Sequence, residues 1–327
     1  MRRVRFAASV PGTSDWPALR EACRLAEASG FDAFARPDHL LAEGALGPPG
    51  APILECFTAI AALVPTTSRL RFLQTVTCNS FRSPALLAKI VASLDVVSDG
   101  RIELGLGAGW LRQEYDAFGY AFPPMAVRLA QLREALQVVK LLWSGAPVDY
   151  DGAHYRLRGA VCVPRPIQQP RPPIMVGGGG PGLLAVAAAE ADLVNIVPAA
   201  SHGTSDPELV RRFTLETFRR KAARVRELAA GAGRDPGTIA FSATLFVQPT
   251  ESDAETGGVL ARIAARYRLD AAAAERFPLV VAGTTAALRE RIAERIAALD
   301  LHHVVVNLPS VAALARFGSE VLPALRT

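Results

Sequence analysis

The alternation of short apolar strands with amphipathic helices along the chain predicts an α/β fold, a (β/α)8 TIM barrel. Eight strand-like runs are spread evenly, and helical periodicity fills the intervals between them. The runs are apolar on both faces, as expected for parallel strands covered by helices. A doubly wound sheet is the alternative, but it does not require eight evenly spread units. We therefore expect residues 1–327 to form a single barrel domain.

Each element is predicted from its local pattern. The strands are expected at Val4–Val10, Phe31–Asp38, Leu70–Asn79, Ile102–Gly109, Ile174–Gly178, Leu193–Pro198, Ile239–Gln248 and His303–Leu308. The helices are expected at Trp16–Ser29, Ile53–Val64, Ala85–Val97, Val127–Trp143, Leu183–Glu190, Pro207–Ala230, Ala254–Tyr267, Thr285–Ala298 and Val311–Ala324.

Several connections carry a physical marker. Ser14-Asp15 is expected to cap the first helix. Glycines and prolines crowd the loop from Gly44 to Pro52, which predicts a long surface loop at the barrel mouth. An Asp-Gly turn within Val148–Tyr155 predicts a small β-hairpin inserted before strand five. The proline-rich run Pro164–Pro173 is expected to be an extended connector, since proline donates no backbone hydrogen bond.

Composition excludes several classes of protein. The net charge of +5 comes without a basic run of five or six residues, so nucleic-acid binding is not expected. No window holds eighteen uninterrupted apolar residues and Pro11 ends the first apolar run, so neither a membrane span nor a signal peptide is expected. The four cysteines are far apart and form no CxxC pair. We therefore expect no metal site and no disulfide framework, which fits a cytoplasmic enzyme.

The segment from Gln74 to Trp110 is the most informative part of the chain. A β-branched run leads to Pro84, which opens an apolar helix that Asp99-Gly100 ends. The next strand runs directly into glycines at positions 105, 107 and 109. Glycines at the end of a strand expose backbone N–H groups with no Cβ to block a bound anion.

This segment resembles, nearly residue for residue, the luciferase-like monooxygenase superfamily and specifically its deazaflavin (coenzyme F420)-dependent branch. The resemblance runs from about Phe31 to Asn195 and includes Pro84–Lys89 and Asp99–Arg101. It implies a TIM barrel of the bacterial luciferase type and hydride transfer between bound coenzyme F420, an 8-hydroxy-5-deazaflavin, and a small organic substrate. FMN is the alternative cofactor.

The pair Asp38-His39 follows the second strand, where a barrel places its functional face. A carboxylate and an imidazole can hydrogen-bond a ring and move a proton to or from a substrate. Spacing alone allows a surface carboxylate beside a solvated histidine. The resemblance implies instead that both residues are catalytic and that Asp38 also contacts the cofactor.

The end of strand three is expected to contact the cofactor as well. The resemblance implies a non-proline cis peptide bond at Thr75-Val76, pressed against the middle of the ring. The alternative is an ordinary buried strand pair, since sequence does not reveal a peptide isomer. Thr77 and Asn79 leave the same strand end, and one or both are expected to hydrogen-bond the cofactor.

Two glycine loops follow strands four and five, at Gly107-Ala108-Gly109 and Gly177-Gly178-Gly179-Gly180. Either loop alone is a weak signal, because glycines after strands are common in α/β proteins. The second loop lies just before a helix that begins near Pro181, which is a natural phosphate site. The resemblance implies that both loops hold the phosphate-bearing chain of the cofactor.

Residues after the fourth strand bear on the substrate. Trp110 stands where the sugar-phosphate dehydrogenases of the family have a glutamate, which argues against a sugar-phosphate substrate. Glu114 and Tyr115 are either site residues or helix-face residues. Arg128 and Glu134 are expected to form ion pairs on a helix face. Residues 199–206, which include His202, are expected to supply substrate contacts.

Three functions stay open at this point. The first is a deazaflavin-dependent oxidoreductase, the second an FMN-dependent monooxygenase of luciferase type, and the third a non-catalytic flavin-binding protein. Asp38-His39 favours the first over the second. The intact pair of glycine loops favours either enzyme over the third.

A homodimer is also expected. Ile53–Val64 and Ala85–Val97 contain only three charged residues, Glu55, Lys89 and Asp95. A helix on the outside of a barrel should show a solvated stripe. The resemblance implies that these faces pack against a second copy, and the alternative is that long loops of the same chain cover them.

Overall fold

The computed structural model describes residues 3–12, 15–42, 46–199 and 207–326. The strands are β1 (Arg5–Ser9), β2 (Ala33–Arg36), β3 (Arg71–Gln74), β4 (Thr77–Cys78), β5 (Ile102–Gly107), β6 (Val148–Asp151), β7 (Arg156–Ala160), β8 (Ile174–Gly178), β9 (Leu193–Ile196), β10 (Ala240–Pro249), β11 (Val280–Gly283) and β12 (His303–Asn307). The α-helices are α1 (Trp16–Ala28), α2 (Cys56–Leu63), α3 (Pro84–Val97), α4 (Arg112–Phe118), α5 (Met125–Leu142), α6 (Pro181–Glu190), α7 (Pro207–Arg211), α8 (Leu215–Gly231), α9 (Asp253–Tyr267), α10 (Ala271–Glu275), α11 (Thr285–Leu299) and α12 (Val311–Arg316).

Eight parallel strands close into a barrel in the order β1-β2-β3-β5-β8-β9-β10-β12. Closure is achieved because β12 pairs in parallel with β1 as well as with β10. All eight predicted strands are strands of this barrel, so the TIM-barrel prediction is confirmed.

Local sequence explains where the central helix begins and ends. The Ser83 hydroxyl accepts a hydrogen bond from the Leu86 N–H, and Pro84 occupies the first turn of α3. The chain leaves the helix through Asp99 and Gly100, both at positive φ. In the same way Asp15 caps α1 by accepting from Ala18, whereas Ser14, also predicted as a cap, lies outside the described residues.

Some elements differ from the prediction. The predicted helix Pro207–Ala230 is two helices, α7 and α8, and the last helix ends at Arg316 before a π-turn and a 3-10 turn. The elements α4, α10 and β11 were not predicted. β11 pairs with the C-terminal part of β10 and lies beside the barrel wall. Residues 43–45 of the predicted mouth loop and residues 200–206, with His202, lie outside the described part of the chain.

The predicted hairpin before strand five is confirmed as the antiparallel pair β6–β7. Its turn is held by Glu134 of α5, whose carboxylate accepts hydrogen bonds from the backbone N–H groups of Ala153, His154 and Tyr155 at 3.0–3.2 Å. The expectation that Glu134 forms an ion pair on a helix face is therefore wrong. The Glu134 carboxylate instead accepts hydrogen bonds from three backbone N–H groups of the turn, which would otherwise have no acceptor.

The N-terminal end of the barrel interior holds a buried charge cluster. Glu103 accepts hydrogen bonds from Arg5 at 2.5 Å and from Arg71 at 2.6 Å. Burial alone would raise the pKa of Glu103, but the two arginines outweigh it and lower that pKa to about 2. His303, fully buried beside this cluster, bonds the Ser242 hydroxyl at 3.0 Å, and burial lowers its pKa to about 4. The ion pairs of Glu103 with Arg5 and Arg71 thus occupy the N-terminal end of the barrel interior.

The outer face of α3 exposes apolar side chains. Leu86 is 53% exposed and Val97 is 69% exposed, and Val163 and Ile167 of the connector after β7 lie beside the same helix. Leu86 and Val97 therefore stay exposed on α3 beside this connector, and the predicted dimer stays a prediction. No helix in the described ranges is both long and apolar enough to cross a membrane.

Candidate active site

The ends of β3, β5 and β8 meet around the Val76 side chain at the C-terminal face of the barrel. The peptide bond between Thr75 and Val76 is cis, which confirms the expectation for this position. A Cβ placed on Gly107 would stand 2.7 Å from Val76, and one on Gly177 would stand 2.8 Å from it. These two glycines therefore make room for the Val76 side chain, a role that the sequence did not suggest.

The glycine loop after β8 leads into the N-terminus of α6. Gly180 is the N-cap residue, and a Cβ built on it meets nothing within 4 Å. The first turn of a helix leaves backbone N–H groups without an intrahelical acceptor, so this end attracts anions. Gly179 packs against the carbonyl of Val197, and a side chain there would collide with that backbone.

A lysine lies beside this loop. Lys221 of α8 donates a hydrogen bond to the carbonyl of Gly179 and lies over the Phe213 ring. Burial lowers the pKa of Lys221. No sequence pattern points to this residue, because it is more than forty positions away from the loop in the chain.

Asp38 is buried and fully engaged. Arg82 forms a bidentate ion pair with it at 2.8 Å to each oxygen, and the Cys78 N–H donates to the same carboxylate at 3.0 Å. Arg82 also bonds Glu55, the N-cap residue of α2, and stacks over Phe57. In this arrangement Asp38 connects the ends of β2 and β4. Its contact with the cofactor stays a prediction.

His39 points to a different partner. Its Nδ1 lies 3.0 Å from both carboxylate oxygens of Glu114. The same carboxylate accepts hydrogen bonds from the N–H groups of Leu40 at 2.5 Å and Leu41 at 3.1 Å. Trp110 meets the imidazole edge-to-face at a centroid distance of 5.8 Å. The two members of the predicted pair therefore belong to separate networks.

Glu114 reaches His39 because α4 presents it to the barrel. This helix begins directly after the β5 loop and ends at Gly119 in the left-handed conformation. Glu114 and Tyr115 are buried, whereas Gln113 and Asp116 on either side are exposed. Glu114 therefore lies on the buried face of α4 beside His39, and a role in the site stays a prediction.

Arg128 supports the loop after β5. Its guanidinium donates to the carbonyls of Gly109 and Pro123 at 2.5 Å and 3.0 Å and stacks 4.0 Å over Phe122. The expectation of a helix-face ion pair is wrong for this buried residue. A cation on α5 is instead used to hold the backbone of the predicted cofactor loop, Gly107-Ala108-Gly109.

Thr77 and Asn79 are both buried at the end of the third barrel strand. Asn79 donates to the Tyr155 hydroxyl of the hairpin at 3.2 Å. The Thr77 hydroxyl and the Asn79 carbonyl oxygen have no hydrogen-bond partner among the described residues. Buried polar atoms without partners are unusual and mark places where a ligand or water can be accommodated.

Comparison with known proteins identifies the family. The family model for luciferase-like monooxygenases matches residues 3–317, so the chain belongs to that family. An F420-dependent glucose-6-phosphate dehydrogenase of Microbacterium testaceum is 34% identical over 161 residues, which is 48% of this chain and 45% of that protein. The aligned region spans about half the length of such curated relatives.

Solved structures share the fold. An F420-dependent secondary alcohol dehydrogenase, in complex with an F420-acetone adduct, has a TM-score of 0.80 at 20% identity and covers 99% of this chain and 100% of its own. An EDTA monooxygenase from Chelativorans sp. has a TM-score of 0.81 at 16% identity and covers 99% of this chain and 94% of its own. Identities this low establish the barrel and leave the choice of chemistry to the site.

Proposed function

We propose that the protein is an oxidoreductase that uses coenzyme F420 and a small organic substrate. The observation that carries the proposal is His39, a partly exposed imidazole held at the C-terminal face by Glu114 and Trp110. A fixed imidazole at this face suits proton exchange with a substrate. A bound deazaflavin supplies hydride chemistry: substrate oxidation moves a hydride to the cofactor and releases a proton, and reduction runs in reverse.

The residues at this face fit such a cofactor. The open N-terminus of α6 at Gly180, with Lys221 beside it, suits a phosphate group. The unpartnered Thr77 hydroxyl and Asn79 carbonyl oxygen suit the polar edge of a ring or its polyol chain. We assign Thr75, Thr77, Asn79, Ala108 and the two glycine loops to this cofactor.

The substrate is expected not to be a sugar phosphate. Trp110 packs on His39 at the position where the resemblance implies a glutamate in sugar-phosphate dehydrogenases of the family. Glu114, the carboxylate that does lie near His39, is buried and committed to the imidazole and two backbone N–H groups. Glucose 6-phosphate should therefore give no turnover with F420.

Separate titrations with F420 and FMN test the choice of cofactor. Quenching of fluorescence should give a Kd for F420 of about 10 μM or below and at least tenfold weaker binding of FMN, a gap of ~1.4 kcal/mol. Tighter binding of FMN would favour the monooxygenase alternative and overturn the proposal.

A matched pair of lysine variants tests where the phosphate lies. Lys221→Met should weaken F420 binding about tenfold, because it removes a positive charge at the N-terminal end of α6. Lys140→Met is the control, since Lys140 bonds the Glu190 carbonyl at the opposite end of the same helix. Equal affinities of the two variants would show that this loop does not hold the phosphate.

A further inference from the structure

We propose that Glu114 is a positioning residue that fixes the tautomer of His39 and so makes Nε2 the nitrogen that exchanges a proton with the substrate. The inference deepens the proposed function and rests on it, because His39 is the residue that would face the substrate. It assigns a task to a buried carboxylate seventy-five positions away in sequence.

The hydrogen bonds of the Glu114 carboxylate determine the state of the imidazole. Both oxygens lie 3.0 Å from His39 Nδ1, and Oε1 also accepts from the N–H groups of Leu40 and Leu41. An ionised carboxylate only accepts hydrogen bonds. The proton of the neutral ring must therefore be on Nδ1, and the lone pair is left on Nε2.

Burial separates the roles of the two residues. The Glu114 side chain is 3% exposed, whereas the His39 side chain is 21% exposed. Glu114 is thus shielded by the residues that it holds, while His39 is open to the mouth of the barrel. Trp110 packs edge-to-face on the ring and limits its rotation. Among the described residues no hydrogen bond engages Nε2, so this nitrogen is available to a ligand.

The fixed tautomer defines the proton's path. When the substrate is oxidised, the proton that it releases passes to Nε2, and the imidazolium so formed is stabilised by the Glu114 carboxylate. When the substrate is reduced, Nε2 returns that proton. Proton exchange with the substrate thus takes place at one atom of this chain, Nε2 of His39.

Glu114→Gln reverses the tautomer with little change of shape. Oε1 of the amide must still accept from the Leu40 and Leu41 N–H groups, because these groups only donate. The amide NH2 then replaces Oε2 at 3.0 Å from His39 Nδ1, and because Oε1 already accepts two backbone N–H groups, the acceptor form of Nδ1 is favoured. The ring proton moves to Nε2, and the nitrogen that should take up a proton is blocked.

Nitrogen-15 NMR of histidine-labelled apo-protein at high pH reads this change directly. The His39 signal is identified by its loss in His39→Gln, since the chain has five histidines. We expect wild-type His39 to be protonated on Nδ1 and the Glu114→Gln protein on Nε2. Glu134→Gln is the matched control, because Glu134 accepts backbone N–H groups and should leave the His39 signal unchanged.

Two results would overturn the inference. One is a wild-type His39 protonated on Nε2, which decides the matter even if the Glu114→Gln protein does not fold. The other is an Nδ1–H tautomer that persists in a folded Glu114→Gln protein. Binding of F420 is measured in a separate titration. If both proteins show the expected His39 tautomers but the protein does not bind F420, only the proposed function is refuted. If the proposed function and this inference are both upheld, Glu114→Gln should lower kcat about 100-fold and leave F420 affinity unchanged.

Discussion

The buried histidine at the N-terminal end of the barrel should make stability depend on pH in a way that can be calculated. His303 is fully buried and faces the Glu103–Arg5 ion pair, and burial lowers its pKa to about 4. In the unfolded chain a histidine titrates near its usual pKa of ~6.5. Between these values the unfolded state binds more protons, so the free energy of unfolding falls as the pH falls.

The expected size follows from the two pKa values. From pH 7 to pH 4.5 the single group removes about 2 kcal/mol from the free energy of unfolding. Glu103 and Glu27, whose pKa values are both lowered to about 2, begin to lose their contributions near their usual pKa of 4.5 and lose most of them below it. The window above pH 4.5 is therefore dominated by His303 among these three groups.

His303→Asn removes the titrating ring, and urea unfolding at 25 °C measures the effect. Any constant cost of the substitution is the same at every pH, so the change between pH 7 and pH 4.5 is the quantity to compare. It should be about 2 kcal/mol smaller in His303→Asn than in the wild type. His154→Asn, on the hairpin, controls for the loss of a histidine. Parallel pH profiles of wild type and His303→Asn would refute a neutral buried histidine.

Three further substitutions test the site and the surface. His39→Ala should lower turnover about 100-fold with an unchanged circular dichroism spectrum, and unchanged kinetics on a verified substrate would remove it from the mechanism. Arg82→Met leaves the Asp38 carboxylate buried without its cation and should cost about 3–5 kcal/mol in urea unfolding, so a loss below ~1 kcal/mol would contradict the ion pair's role. We also propose a homodimer through α3 that buries more than roughly 2,000 Å2, which Val97→Glu should weaken. Sedimentation of the wild type as a 34.7 kDa species alone would exclude that dimer.

The barrel could be predicted from sequence because its signal is local and repeated. Each of the eight strands is an apolar run, and each is followed by a segment of helical periodicity. β11 was missed although Val280–Gly283 is as long as β2 and β9, because eight other apolar runs already complete the repeated strand–helix pattern of a barrel. The seven-residue helix α4 was missed because two helical turns are too short for periodicity to separate them from a loop, and with it the position of Glu114.

The networks of the site could not be predicted, because their partners are distant in sequence. Asp38 and His39 are adjacent, yet one pairs with Arg82 and the other with Glu114, 44 and 75 positions away. A motif shows which residue types are close along the chain. It does not show that Asp38 pairs with a cation or that Glu114 orients an imidazole, since both contacts depend on tertiary packing.

The glycines of the site show why a residue type alone does not define a ligand contact. Gly107 and Gly177 lack a Cβ because Val76 occupies that space, so substitution by alanine at either position should disturb the barrel itself. Gly180 has an ordinary φ of −76° and open space around its Cβ position, so the fold does not require glycine there. If a cofactor phosphate approaches the α6 N-terminus, it is Gly180 whose replacement should weaken binding without loss of stability. The same four-residue glycine loop therefore contains three positions set by packing, Gly177, Gly178 and Gly179, and one that a ligand would explain.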